Sequence, residues 1–141
     1  MFSLGRVIAF GYAGLKKLDD LLNLLREFKV ETLIDIRRFP KSKNPDFTRE
    51  NLEKELPKYR IQYIYMGDIL GGFRKGGYQK YMETKNYMKG VIRLKEMADN
   101  AEKNQKTVAI MCLEKKTCYC HRRFIIKTLS QMNVEIVNVG S

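Results

Sequence analysis

The chain has 141 residues, of which 44% are hydrophobic and 30% charged, and this balance excludes a disordered or fibrous protein. Its length is that of one domain, so we expect a single domain over residues 1–141. Lys and Arg number 27 against 16 Asp and Glu, and the net charge of +11 favours an anionic, phosphate-bearing partner over a neutral one.

The first half of the chain alternates short apolar runs with longer segments of helical period. Apolar residues over 7–10, 32–36 and 61–66 predict three strands, the third near an edge of the sheet. Apolar residues at three- and four-residue spacing from Leu15 to Phe28 predict an amphipathic helix. After a loop with two prolines, Thr48 is a suitable cap for a helix that extends through Leu56.

The second half continues the same alternation. Glycine pairs at 71–72 and 76–77 predict a long loop, and a short helix at 81–82 and a longer one through 88–97 follow. A strand is predicted over 107–112, a helix from Cys120 or His121 to Met132, and a last strand over 134–139. The pattern predicts an α/β fold, with a mostly parallel sheet of about five strands flanked by helices.

The number of cysteines and the hydropathy of the chain indicate the cellular compartment of the protein. Three Cys are too few for a disulfide scaffold, and an odd number leaves at least one of them unpaired. The first residues lack the features of a signal peptide, and no apolar run approaches the ~18 residues that a membrane span needs. We therefore expect a cytoplasmic protein without membrane contact, and we predict no cofactor.

The predicted sheet brings distant residues together. In parallel sheets, ligands bind where the carboxyl ends of the strands meet. We therefore expect Asp35, Arg37, Cys112, Glu114 and His121 to share one pocket. Their neighbours at the same edge are candidate substrate-binding residues: Tyr12, Gly71, Gly72 and Arg122.

Asp35 and Arg37 lie two apart on one strand, so their side chains share a face. One interpretation is a catalytic acid beside an anion clamp, since Arg offers two parallel donors to a phosphate or carboxylate. The other is an internal ion pair that orders the loop through Pro40. The pair alone favours neither.

Two cysteines are candidate nucleophiles. Cys112 ends a buried strand, and Cys120 lies at a predicted helix start, where peptide N–H groups and basic neighbours favour the thiolate. His121 or Glu114 would then act as the general acid or base. Both thiols can equally be inert, because a Cys that ends an apolar strand is more often a core residue.

The late cluster of Cys112, Cys118, Cys120 and His121 has two further interpretations. These four side chains could form a zinc site, but their spacing does not match paired Cys-x₂-Cys motifs, and adjacent residues do not easily reach one ion. We therefore predict no metal site. A disulfide between Cys112 and Cys118 is the other alternative.

A cationic stretch interleaved with tyrosines follows the predicted loop. Residues 73–95 contain seven Lys and Arg against one acid, Glu83. Cationic and aromatic side chains together are typical of a single-stranded nucleic-acid groove. The alternative is a solvated basic helix face whose tyrosines are half in the core. The candidate nucleic-acid-binding residues are Arg74, Lys75, Tyr78 and Lys80.

Ordered motifs along nearly the whole chain carry a resemblance to a known family. They run from Phe10-Gly11-Tyr12 through Asp35-Ile36-Arg37, Leu70-Gly71-Gly72 and Tyr81-Met82 to Met111-Cys112-Leu113-Glu114 and Cys120-His121-Arg122. This set resembles domain of unknown function 488, DUF488. The resemblance implies a compact α/β domain whose site contains these positions, and it adds Tyr81 to the candidate substrate-binding residues.

The chain departs from that family's pattern in two places. Ala13 stands where the family commonly has a Ser after the first strand, and Cys118 is an addition to the late motif. A weaker similarity is to rhodanese-like domains: Asp35-Ile36-Arg37 is similar to their Asp-Val-Arg strand, and residues 108–112 to the strand before their sulfur-carrying Cys. Their tight anion loop after that Cys is absent.

Three functions follow from these observations. The first is binding of, or action on, a phosphate-bearing substrate, a nucleic acid or nucleotide, at the carboxyl edge of the sheet. The second is a thiol-dependent, rhodanese-like sulfur transfer, and the third is a non-catalytic interaction module. Whether the protein is an enzyme, and its oligomeric state, stay open at this point.

Overall fold

Five strands form one sheet in which every neighbouring pair is parallel. The computed structural model describes residues 4–114 and 121–140. The order across the sheet is β3-β2-β4-β1-β5, so β4 lies between β2 and β1. This confirms the predicted α/β fold with its parallel sheet of five strands. The strands are β1 (Arg6–Gly11), β2 (Val30–Asp35), β3 (Gln62–Tyr65), β4 (Thr107–Cys112) and β5 (Glu135–Asn138).

Helices connect the strands. The described residues form six α-helices, together with short 3-10 helices at Pro45–Phe47 and Leu56–Tyr59. None of them is both long and apolar enough to cross a membrane. The α-helices are α1 (Leu18–Glu27), α2 (Arg49–Glu55), α3 (Gly67–Leu70), α4 (Tyr78–Tyr81), α5 (Lys85–Glu102) and α6 (Arg122–Gln131).

Capping side chains set two of the helix starts. The Thr48 hydroxyl accepts from the backbone N–H of Asn51, which confirms the predicted cap of α2. Thr84 caps α5 in the same way, so this helix begins at Lys85, earlier than its apolar period indicates. The sequence did not predict α3, because four residues are too few to show a period.

The sheet separates two hydrophobic layers. Successive residues of a strand point to opposite faces. Ile8, Phe10 and Met111 pack in the layer that contains side chains of α1 and α2. Val7 and Cys112 belong to the other layer, with side chains of α5 and α6. The Cys112 side chain therefore lies on the side of the sheet from which α6 begins.

The strand register brings three carboxyl ends together. Gly11 of β1 pairs with Cys112 of β4, and Asp35 of β2 pairs with Met111. Backbone hydrogen bonds continue beyond the strands, since the N–H of Tyr12 donates to the Cys112 carbonyl at 2.9 Å. The segments after β1, β2 and β4 thus leave the sheet side by side, and the candidate site lies there.

Candidate functional site

A pocket of about 270 Å³ opens where β1, β2 and β4 end. Residues of five separate described segments meet around it, those that follow β1, β2, α3 and β4 and the one that precedes α6, so the predicted convergence at the carboxyl edge is present in the structure. The lining residues are Tyr12, Arg37, Arg38, Phe39, Lys41, Gly72, Phe73, Cys112, Leu113, Glu114 and His121.

Asp35 lies behind the pocket, where it forms a buried ion pair with Arg37. Asp35 is fully buried, and its carboxylate accepts from Nε of Arg37 at 2.8 Å and from Nη2 at 2.7 Å. The remaining Nη1 of Arg37 donates to the Phe47 carbonyl at 2.7 Å. Arg37 lines the pocket, whereas Asp35, which we expected to share it, is fully buried and is not among the lining residues.

The ion pair is part of a larger buried network. The Tyr63 hydroxyl donates to the second carboxylate oxygen of Asp35. Burial and the Asp35 charge raise the pKa of Tyr63 far above its usual range, so this tyrosine stays protonated. Burial is the largest single effect on Arg37 and opposes its charge, but the hydrogen bonds and charge attraction of Asp35 and Tyr12 together outweigh it and raise the pKa of Arg37. Arg37 is therefore a fixed cation whose donors are largely used within the protein.

Arg38 is a lining residue that sequence reasoning missed. Its Nη1 atom is buried, and within residues 4–114 and 121–140 no hydrogen-bond partner for it is found. A buried donor in that state costs about 1–3 kcal/mol. The signal in the sequence was the second Arg of the Arg37-Arg38 pair. Lys41 lines the same side of the pocket and is exposed.

Cys112 and Arg122 are in direct contact. Cys112 is 2% exposed, and its sulfur lies 2.7 Å from Nη1 of Arg122, which is fully buried. The same Nη1 donates to the Glu114 carbonyl. Arg122 is not among the lining residues and contacts the Cys112 thiol, and its predicted role in substrate binding stays a prediction. Glu114 itself is exposed at the rim.

His121 lines the pocket beside the end of β2. Its Nε2 lies 3.2 Å from the Ile36 carbonyl. A carbonyl only accepts, so Nε2 carries the proton, and a neutral His121 has its lone pair on Nδ1. A Cβ added to Gly72 would lie 3.2 Å from that Nδ1. Gly72 thus lets the loop after α3 approach the ring closely.

Close packing also explains why glycine occupies position 71, and it shows the same requirement at Gly67. A Cβ on Gly71 would lie 2.7 Å from the Arg38 Cα, and one on Gly67 would overlap the Arg37 carbonyl oxygen. Both contacts are with backbone, which has little room to move. The glycines therefore position α3 against the Arg37–Arg38 segment. Gly67 was not among the predicted site residues.

Three residues predicted to bind substrate or nucleic acid are engaged in packing. The Tyr81 hydroxyl donates to the Ile69 carbonyl, and the Arg74 guanidinium lies 3.9 Å from the Tyr81 ring centroid. The Tyr78 hydroxyl donates to the Leu70 carbonyl at 2.8 Å, while its ring stacks on Phe124. These contacts argue against a base stacking on Tyr78. The other two predicted nucleic-acid-binding residues, Lys75 and Lys80, are exposed.

The remaining candidate, Cys120, lies outside the described residues, as does Cys118. The predicted thiolate at the helix start, the proposed zinc ligands and the disulfide alternative therefore stay predictions. Among the residues that the structure does describe, no group of three or more His, Cys, Asp and Glu could hold a metal ion.

Comparison with known proteins identifies a family. A family model described as "Domain of unknown function DUF488" matches residues 17–129, which includes Arg37, Cys112 and His121. No curated protein and no solved structure matches the chain. The similarity to rhodanese-like domains stays a prediction.

Proposed function

This chain belongs to the DUF488 family, and on that premise we propose that its pocket binds, or acts on, a phosphate-bearing ligand of the nucleotide or nucleic-acid class. The observation that carries the proposal is the buried Nη1 of Arg38. A ligand oxygen at this atom would satisfy it. Because the donor is charged, a phosphate oxygen would gain more there than a neutral acceptor.

The charges around the pocket support an anion. Asp35 neutralises Arg37 within the fold, so that ion pair adds little net charge. Arg38 and Lys41 contribute two further cations, and among the described residues of the lining Glu114 is the single acid. A ligand placed between Arg38 and Lys41 would therefore experience a net positive site. The charge of +11 on the whole chain would attract such a ligand from a distance.

The size of the pocket supports a small ligand. Pockets for drug-sized molecules usually occupy about 300–1,000 Å³, and this one has about 270 Å³. One phosphate with a sugar, or one nucleotide, is of this scale. A long nucleic-acid strand would have to lie outside the pocket and insert one nucleotide into it. The exposed Lys75 and Lys80 are then candidate contacts for the other nucleotides of that strand.

We predict that Arg38→Gln weakens phosphate binding. Charged hydrogen bonds contribute about 1.5–3 kcal/mol, so the dissociation constant for ribose 5-phosphate should rise by about 10- to 100-fold. Isothermal titration calorimetry measures this directly. Arg93→Gln is the matched control, since it removes the same charge from an exposed position on α5 and should change the constant by less than about threefold.

Equal effects of Arg38→Gln and Arg93→Gln would contradict the proposed site, because only the overall charge would then matter. Absence of any binding by the parent protein, at low ionic strength, to inorganic phosphate, ribose 5-phosphate and nucleotides would contradict the proposed function as a whole. Thermal melting of each variant confirms that the fold is retained.

A second candidate function is thiol chemistry at Cys112, of which sulfur transfer is one form. The contact between its sulfur and the Arg122 guanidinium favours it, since an adjacent cation stabilises a thiolate. Cys112 also lines the pocket, beside His121 and Glu114. This candidate is compatible with an anionic substrate.

The test of this second candidate is the pH dependence of alkylation. In a Cys118→Ser/Cys120→Ser chain, Cys112 is the one remaining thiol. We expect its rate with iodoacetamide to be nearly constant from pH 7 to 9, whereas an ordinary thiol gains about tenfold per unit below about pH 8.5. Mass spectrometry follows the adduct. A rate that rises with pH as in a free cysteine would remove the thiol-enzyme candidate.

A further inference from the structure

We infer that Phe39 and Phe73 form a stacking platform for a nucleobase at the mouth of the pocket, so that the ligand is a nucleoside monophosphate moiety. This inference rests on the proposed function, because it assumes that the phosphate of the same ligand reaches Arg38. It goes further because it names the side chains that would contact the base, and thereby identifies the phosphate ester as a nucleotide.

The first supporting observation is the exposure of these rings. Phe39 is 63% exposed and Phe73 is 85% exposed, and both line the pocket. Leu113, 49% exposed, lines it as well. Among the described residues, seven large hydrophobic side chains are exposed, and three of them surround this one opening. A mainly apolar pocket that also holds a few charged side chains is typical of a ligand site.

The second observation is the backbone of Phe73. Its φ angle is +59°, in the left-handed region that bulky residues rarely adopt. Such conformations persist where the surrounding structure enforces them, and they are frequent at ligand clamps. Here the Arg74 guanidinium donates to the Gly71 carbonyl at 2.9 Å and to the Asp68 carbonyl at 2.7 Å. These bonds brace the loop around Phe73 and hold its ring out over the pocket.

The third observation is the relation of the two rings to the cations. The Phe39 and Phe73 centroids lie 5.7 Å apart at an interplanar angle of 46°, so the rings touch without covering each other's faces. Phe39 follows Arg38 directly in sequence, and Lys41 is two residues further. The Phe39 ring of the platform therefore lies on the same chain segment as the two cations. A nucleotide matches this pairing, since its base is flat and apolar on its faces and its phosphate is anionic.

The platform also predicts the selectivity of the site. Phenylalanine has no polar atom with which to read the edge of a base, so stacking on it tolerates every base. Purines cover more of a ring than pyrimidines do. We therefore expect adenine and guanine nucleotides to bind within about threefold of each other, and both to bind more tightly than cytosine nucleotides.

Calorimetry with four ligands tests the inference: AMP, GMP, ribose 5-phosphate and inorganic phosphate. We expect AMP and GMP to bind roughly tenfold more tightly than ribose 5-phosphate, which is the expected contribution of one stacked base. In Phe39→Leu/Phe73→Leu that advantage, measured as the ratio of the AMP and ribose 5-phosphate constants of the same variant, should fall to less than about threefold. Ile92→Ala, which shortens an exposed apolar residue of α5, is the control and should leave all four constants unchanged.

The outcomes separate this inference from the proposed function. Equal binding of AMP and ribose 5-phosphate would overturn the base platform and leave the phosphate site standing, whereas binding of none of the four would overturn both. An AMP advantage that persists in the double Leu variant would also overturn the platform. A 5′-phosphorylated trinucleotide distinguishes the source: binding as tight as that of AMP assigns the moiety to a strand end, and weaker binding assigns it to a free nucleotide.

If the double Leu variant fails to fold, Phe73→Gly provides a second test of the platform. Glycine adopts positive φ freely, so this variant should melt no lower than the parent protein. Its AMP affinity should nevertheless fall to that of ribose 5-phosphate. Retained AMP affinity in Phe73→Gly would overturn the role of the Phe73 ring.

Discussion

Replacing Asp35 by Asn should lower the free energy of unfolding by about 3–5 kcal/mol, because it leaves the Arg37 guanidinium buried without its counter-charge. Arg37 is 5% exposed and Asp35 is fully buried, so water cannot take the place of the carboxylate. A loss of this size corresponds to a fall in the melting temperature of roughly 10 °C or more for a chain of this length. Chemical denaturation followed by circular dichroism measures it.

Two further variants isolate the cause of that loss. Tyr63→Phe removes one hydrogen bond to Asp35 but leaves the ion pair, so it should cost only about 1–2 kcal/mol. The double variant Asp35→Asn/Arg37→Met removes both charges and should recover a large part of the stability lost in Asp35→Asn. A double variant no more stable than Asp35→Asn, or a single variant that loses less than about 1 kcal/mol, would contradict this account of the network.

Gly67→Ala should be the most damaging glycine substitution near the site. In a helix, Ala is normally favoured over Gly by about 1 kcal/mol. Here the added methyl group would overlap the Arg37 carbonyl oxygen and lie 2.6 Å from both the Arg37 carbonyl carbon and a ring carbon of Tyr65. The backbone must shift to relieve this, so we expect a net loss of about 3 kcal/mol, at the upper end of measured overpacking costs.

Gly90→Ala is the matched control for Gly67→Ala. It also lies in a helix, but its Cβ would meet the side-chain ends of Ile69 and Leu70, which can move more easily than backbone. Its loss should be less than half that of Gly67→Ala in the same denaturation assay. Because the clash at Gly67 displaces the segment leading to Arg38, Gly67→Ala should also weaken ribose 5-phosphate binding. Equal stability of the two variants would contradict the packing argument.

The arrangement of the strands and helices was largely accessible from the sequence. Apolar runs predicted the buried strands β1, β2 and β4 within a few positions, since a parallel strand buried on both faces must be apolar throughout. The alternation of polar and apolar residues over 61–66 predicted β3, which lies at an edge of the sheet. The DUF488 motifs predicted the family, and the parallel sheet then required that residues as distant as Arg37 and Cys112 meet at one edge. These features depend on local sequence and on the general geometry of parallel sheets.

The roles of individual polar residues were less accessible. Their sequence pattern predicted that Tyr78 and Arg74 form a nucleic-acid surface, yet their polar groups donate to carbonyls of α3 and of Gly71, the residue after it. Arg37 and Arg38 are adjacent and chemically identical, but one is held by Asp35 and the other carries the buried donor at the pocket. No pattern in the sequence distinguishes the two, because the difference is where the carbonyls and carboxylates of other segments lie.

The amino-acid sequence alone therefore determined the α/β class, the strand periodicity and the edge of the sheet at which the pocket forms. The tertiary structure decided which side chains reach the pocket: Arg38 and Phe73 line it, while Asp35 and Arg122 are fully buried and do not. The physical reason is that burial of apolar residues is set by a repeating local pattern, whereas the partner of a polar side chain is set by contacts between segments far apart in sequence. For Phe73, the hydrogen bonds of Arg74 to Gly71 and Asp68 brace the loop that holds the ring over the pocket.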